Sequence, residues 1–229
     1  MSPRSLEEKR RSFGHIVGVL ESLYPNAHIE LNYTNPLELL VAVVLSAQCT
    51  DARVNMATPG LFARFRSARD YADSSPTEVE PFIKTLGLFR AKARALVGLG
   101  QQLVAEYSGV VPSRRDALAT LPGVGLKTAG VVSAHLGGDP AFPVDTHVFR
   151  LAHRLGLSKG KTPDAVEKDL QRLSDSSQWM AAHQLLIWHG RRMCLAQNPK
   201  CTECPLEPSC PQKGVKAPRP LPTSQAARS

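Results

Sequence analysis

The chain has 229 residues, 42% of them hydrophobic and 21% charged, a composition that excludes wholesale disorder. Twenty-eight Lys and Arg against 20 Asp and Glu leave a net charge of +8, which favours a polyanionic partner. The longest apolar run, Leu39 to Leu45, has seven residues, where a membrane span needs ~20.

The opening MSPRSLEEKRRSFGH carries both signs of charge and lacks the apolar stretch of a leader. The expectation is therefore a protein of the cytoplasm or nucleoid, where thiols stay reduced. Phe13, Ile16, Val17, Leu20 and Leu23 form one face of a first helix that ends at Pro25. Polar caps before a first-turn residue, often Pro, mark further helix starts at Asn35-Pro36, Ser75-Pro76, Ser113, Asp145 and Thr162-Pro163. Phe89, Ala93, Leu96, Gly100, Leu103 and Tyr107 step by four and three along another helix. Gly87, Gly109, Gly137 and Gly156 stand where such helices stop. No alternating strand pattern, heptad or solenoid repeat occurs, so the fold class is all-α, with ten or so helices. Cys49 stands alone among apolar residues and reads as a small buried hydrophobe.

Between two of these helices lies Leu121-Pro122-Gly123-Val124-Gly125-Leu126-Lys127-Thr128-Ala129. Two glycines two residues apart let a turn lay its amides against a phosphate, and the helix that follows aims its N-terminus at the same anion. Such contacts fix register on a nucleic acid without reading bases. The segment lacks the G-x4-G-K-[ST] spacing of a nucleotide-hydrolase phosphate loop. Lys127 has two readings, a phosphate-binding cation or a nucleophile. A helix N-terminus and partial burial would both favour the neutral amine, which can attack a sugar carbon and form a Schiff base. Asp145 opens the next amphipathic helix, where a carboxylate can cap the helix and also stabilise a cationic sugar or accept a proton. Capping and catalysis are compatible there. His147 reads as a structural histidine.

Near the C-terminus Cys194, Cys201, Cys204 and Cys210 follow one another as C-x6-C-x2-C-x5-C within 17 residues. Four thiolates this close can surround a metal centre. Zinc and no metal at all are the alternatives, but only one two-residue knuckle is present, and the wider spread suits an iron–sulfur cluster better. Residues 190–229 hold seven basic side chains against two acidic ones. From 213 to 229 the chain is rich in Pro, Ser and Ala without an acid, which reads as a flexible basic tail.

Taken together, the hairpin, Lys127, Asp145 and the four cysteines closely resemble the endonuclease III family of base-excision repair enzymes. The resemblance runs over about residues 10–212 and rests on ELLVAVVLSAQCTD (38–51), IKTLGLFRAKA (83–93), LPGVGLKTAGVV (121–132), VDTHVFRLAHRLGL (144–157) and the cysteine cluster. It implies a helix-hairpin-helix DNA glycosylase with a lyase activity, built as two helical domains with DNA in the cleft between them. One is a contiguous six-helix domain over 29–139 with the hairpin at about 113–137. The other joins 1–28 to 140–212 around a [4Fe-4S] cluster held by Cys194, Cys201, Cys204 and Cys210. The implied partner is double-stranded DNA with damaged pyrimidines or abasic sites, bound by a monomer. Lys127 matches the family's Schiff-base lysine and Asp145 its catalytic aspartate. Gly123, Val124, Gly125 and Thr128 match the hairpin's DNA contacts. Gln48 matches the side chain that fills the space left by a flipped base, Leu88 the wedge in the opposite strand, and Lys200 a phosphate contact.

Leu126 and Cys49 depart from the pattern. The first replaces a basic residue before the lysine and removes a possible phosphate contact. The second replaces the small residue usual after the glutamine. An adenine-mismatch glycosylase is a poorer match, because the helix over Leu39 to Ala47 has no acid. A non-catalytic DNA-binding hairpin protein is the alternative from another class, and the pairing of Lys127 with Asp145 argues against it.

Overall fold

The computed structural model describes residues 5–215, so most of the expected basic tail, from 216 onward, lies outside the described residues. Eleven α-helices occur among them, and no strand. In chain order they are α1 (Leu6–Leu23), α2 (Pro36–Leu45), α3 (Asp51–Arg64), α4 (Ala68–Ala72), α5 (Pro76–Ile83) and α6 (Phe89–Tyr107). There follow α7 (Arg115–Leu118), α8 (Leu126–His135), α9 (Thr146–Arg154), α10 (Pro163–Gln171) and α11 (Trp179–Arg192). No helix among the described residues is long and apolar enough to cross a membrane.

The caps read from sequence largely form. Asn35 Oδ1 accepts from the Glu38 amide at 3.0 Å, Thr162 Oγ1 from Ala165 at 3.2 Å, and Asp145 Oδ1 from Val148 at 2.8 Å. Gly109, Gly137 and Gly156 follow helices with φ of 82°, 70° and 71°. Ser113 departs from expectation. The N-cap of α7 is Arg114, which offers no side-chain acceptor, and the Arg115 amide instead donates to Asp139 Oδ2 at 2.7 Å. Ser113 is engaged elsewhere, its carbonyl accepting from Ser133 Oγ at 2.6 Å. Gly87 also departs, since the left-handed residue at that turn is Leu88, with φ of 59°.

The chain divides into two compact units. One takes in 28–143 and 176–181, the other the remaining described residues. In the first, α2 is apolar on all sides, and every residue from Leu39 to Leu45 is buried, as expected of a helix surrounded by others. Around it pack Val54, Leu61, Ile83, Leu96, Leu103 and Val132. Helix α6 runs close against α4 at Gly100, where a Cβ would come within 2.6 Å of Tyr71 Cβ and 2.7 Å of the Ala72 amide. In the second unit Phe13, Ile16 and Leu20 form the apolar face of α1, Val148, Leu151 and Ala152 that of α9, and Val166 and Leu170 that of α10. Residues 182 onward of α11 add Leu185 and Leu186.

Candidate functional site

The turn between α7 and α8 is built from its apolar residues outward. Leu118, Leu121, Val124 and Ala129 are buried and anchor both helices, and Val124 donates its amide to the Leu121 carbonyl at 3.0 Å. Gly123 has φ of 78°, and a Cβ there would meet Ala95 Cβ at 2.8 Å, so glycine is required on both counts. Gly125 differs. It is the N-cap of α8 in an extended conformation, and no heavy atom lies within 4 Å of where its Cβ would stand. The first turn of α8 therefore has neither a side-chain cap nor an acidic residue. Its leading amides are free for an outside anion. Thr128 is half-buried, while Leu126 and Lys127 are exposed. The partial burial expected of Lys127 is thus absent, because it stands at the second helical position on the solvent side of the turn.

Two exposed side chains in the same unit sit on strained backbone. Gln48, just past α2, has φ of 56°, and Leu88, just before α6, has φ of 59° and is 60% exposed. Left-handed conformations are uncommon for such residues and are kept where surrounding structure enforces them.

In the other unit Asp145 is half-buried at the start of α9. Its Oδ1 is used by the cap, and among the described residues no hydrogen bond reaches Oδ2. His147 is tied to Arg150, whose Nη2 lies 3.2 Å from His147 Nδ1. Burial, above all, holds this imidazole below the usual histidine range.

Cys194, Cys201, Cys204 and Cys210 line one hollow of about 380 Å³, open side included, together with Arg154, His189 and the exposed Lys200. Cys204 and Cys210 each follow a single 3-10 turn with nearly the same backbone, φ −83°, ψ 122° and φ −82°, ψ 123°. Burial pushes both thiols up. Among the described residues no three His, Cys, Asp or Glu converge closely enough to hold a single ion. His189, buried and pushed down to about 4, places Nε2 3.5 Å from Cys204 Sγ and Nδ1 3.2 Å from the Tyr24 hydroxyl.

The model of the HhH-GPD superfamily of base excision DNA repair proteins matches residues 41–175. Endonuclease III of Synechocystis sp. is 44% identical over 91% of this chain and 95% of its own length. That of Bacillus subtilis is 46% identical over 82% and 86%. This chain belongs to the endonuclease III family. A solved non-covalent complex of an endonuclease III with DNA superposes with a TM-score of 0.84 at 43% identity, covering 89% of this chain and 95% of that one. A trapped covalent intermediate of an endonuclease III with DNA gives the same TM-score and identity over 89% and 96%.

Two arginines of this endonuclease III family member that its sequence did not single out hold the chain around the first cysteine. Arg154, 8% exposed, donates to Cys194 Sγ at 3.4 Å, to the Leu195 carbonyl at 2.6 Å and to Ala196 at 2.9 Å. Arg150 donates to the carbonyls of Gly190 and Cys194 at 2.8 and 2.9 Å. The two arginines lie four apart on α9, so one helix face meets both the end of α11 and the first cysteine. The only available signal was that i, i+4 spacing.

Proposed function

We propose that this base-excision DNA glycosylase and lyase removes oxidised pyrimidines from double-stranded DNA through a Schiff base on Lys127. The observation that carries the reading is the α8 N-terminus, which has free leading amides, follows a turn only glycine can make, and presents an exposed primary amine at its second position. Gly123, Val124, Gly125 and Thr128 hold a DNA phosphate through backbone amides. The target nucleotide leaves the stack, since its sugar carbon is otherwise inaccessible. The Lys127 nitrogen then bonds to that carbon while the bond to the base breaks, and the base leaves with a proton. Ring opening gives the imine. Loss of a proton from the neighbouring carbon expels the 3′-phosphate and nicks the strand.

Asp145 supplies the charge that such a step needs. With Oδ1 committed to the helix cap, Oδ2 remains to stabilise positive charge on the sugar or to accept a proton. Gln48 fills the space left by the flipped nucleotide and Leu88 wedges the opposite strand, both from exposed left-handed positions. Inserted apolar side chains hold kinked duplexes open. Lys200 contacts phosphate.

Cys194, Cys201, Cys204 and Cys210 hold a [4Fe-4S] cluster, supported by the spread of their thiols around one hollow. When bound, the cluster supplies four iron–thiolate bonds that keep the loop folded.

Borohydride added during reaction with a duplex carrying one thymine glycol tests the reading directly. The expected result is a covalent protein–DNA adduct together with a nick at the lesion. Base release without any adduct would refute the imine. Asp145→Asn should retain the cap, because Asn and Asp serve equally there, with stability changed by less than about 1 kcal/mol. Single-turnover base removal should slow by on the order of 10²–10⁴-fold, and cleavage at a pre-formed abasic site should slow less. Unchanged base removal would reduce Asp145 to a helix cap.

A further inference from the structure

Lys92 is a buried ammonium that the proposed chemistry leaves unused. It stands on the first turn of α6, its amide donating to the Leu88 carbonyl at 3.0 Å. Its side chain is turned inward and the residue is only 6% exposed. Nζ donates to the Ala47 carbonyl at 2.8 Å and to Cys49 Sγ at 3.3 Å. Among the described residues no carboxylate pairs with it. Burying a charge in this way costs stability, and an apolar side chain of equal length would pack at less cost.

The acceptors explain why the charge is kept. Ala47 and Cys49 flank Gln48, and the Ala47 carbonyl lies just beyond the C-terminus of α2, where a cation meets the negative end of the helix. A lysine bond to that carbonyl fixes the plane of the peptide joining Ala47 to Gln48, and with it the left-handed turn that projects the Gln48 side chain. The same lysine is anchored one helical turn from Leu88. The two turns also run near each other, a Cβ built on Gly87 standing 4.0 Å from Cys49 Sγ. Arg53 of α3 adds a second tie, donating to the Thr85 carbonyl at 2.8 Å.

We infer that Lys92 is a positioning residue that locks the Gln48 turn to the Leu88 turn, so that both side chains enter a damaged duplex as one rigid unit. The inference rests on the proposed insertion roles of Gln48 and Leu88. It assigns to Lys92 the opening of paired DNA and no part in the bond changes at the sugar.

The full-length, cluster-loaded enzyme carrying Lys92→Met tests it with two substrates. One is a duplex with thymine glycol paired in the stack. The other carries an abasic site opposite a one-nucleotide gap, where no base pair has to be opened. Base removal from the paired lesion should fall by up to ~100-fold, the scale of a 1 Å misplacement, while cleavage opposite the gap stays within about twofold of wild type. A 2-aminopurine opposite the lesion should brighten less on binding. Adding Lys92→Met to Gln48→Ala should slow base removal by less than the product of the two single effects. Loss of activity on both substrates in parallel, or undiminished base removal from the paired lesion, would overturn the inference. If Gln48→Ala and Leu88→Ala leave base removal intact, the insertion roles fail and the inference falls with them. If those two slow it and Lys92→Met does not, the inference alone fails. Should the Met variant not fold, Lys92→Gln, which keeps a shorter donor, must show the same split between substrates, and equal effects on both would overturn the inference equally.

Discussion

Lys127→Gln is expected to abolish strand cleavage and borohydride trapping while leaving binding to an abasic-site analogue nearly intact. Glutamine keeps a comparable reach and hydrogen-bonding capacity but has no amine that can form an imine. Removal of a nucleophile lowers rate by at least ~10³-fold in enzymes generally, so the loss should be complete within the range of a single-turnover assay. Stability should not suffer. A lysine at the second position of α8 opposes the positive end of its own helix, and the side chain is exposed without any stabilising partner among the described residues. Its neutralisation should raise stability slightly, by about 0.3–1 kcal/mol. A residue that costs helix stability and returns activity is what a functional position looks like. A phosphate-clamp role leads to the opposite pattern. Binding would weaken, the log–log salt slope would fall by about 1, and trapping would persist through another amine. A covalent adduct formed by Lys127→Gln at the wild-type rate would falsify the nucleophile assignment.

Cys201→Ala should strip the iron and unfold the loop that carries it. From 194 to 210 the only fully buried side chain is Leu206, 1% exposed, so apolar burial contributes little to holding this segment. Its order depends on the Arg154 bonds to 194–196, on two single 3-10 turns, and on whatever the thiols bind. Purified wild-type protein should be yellow-brown with about four irons per chain. The Ala variant should be colourless, with rapid amide exchange over 194–212 and much weaker DNA binding, because Lys200 is no longer held. Helices α2 to α8 should keep their exchange protection, their core being built from other residues. Stoichiometric zinc without iron after anaerobic preparation would refute the cluster. Four irons retained in the Ala variant would exclude Cys201 as a ligand.

What depends on near neighbours along the chain can be read from the residues in order. Apolar residues at three- and four-residue steps specify α1 and α6, and Asn35, Asp145 and Thr162 cap helices through amides three residues on. Glycine is obligatory at 123 because the turn needs a positive φ, and the cysteine spacing brings four thiols to one hollow. Whatever rests on distant partners comes from helix packing. Asp139 serves the start of α7 from 24 residues away, a role that Ser113 seemed placed to fill. Arg150 and Arg154 reach backbone and sulfur 40 to 44 residues on, and Lys92 reaches back 45 residues to Ala47. Lys127 is exposed because buried Val124 and Ala129 turn the apolar side of the hairpin inward and leave its second helical position outside. Local patterns report hydrogen bonds and faces that repeat within a turn or two of helix. Burial, and the partners of a long cationic side chain, are set by which helices pack together, and no spacing along the chain encodes that.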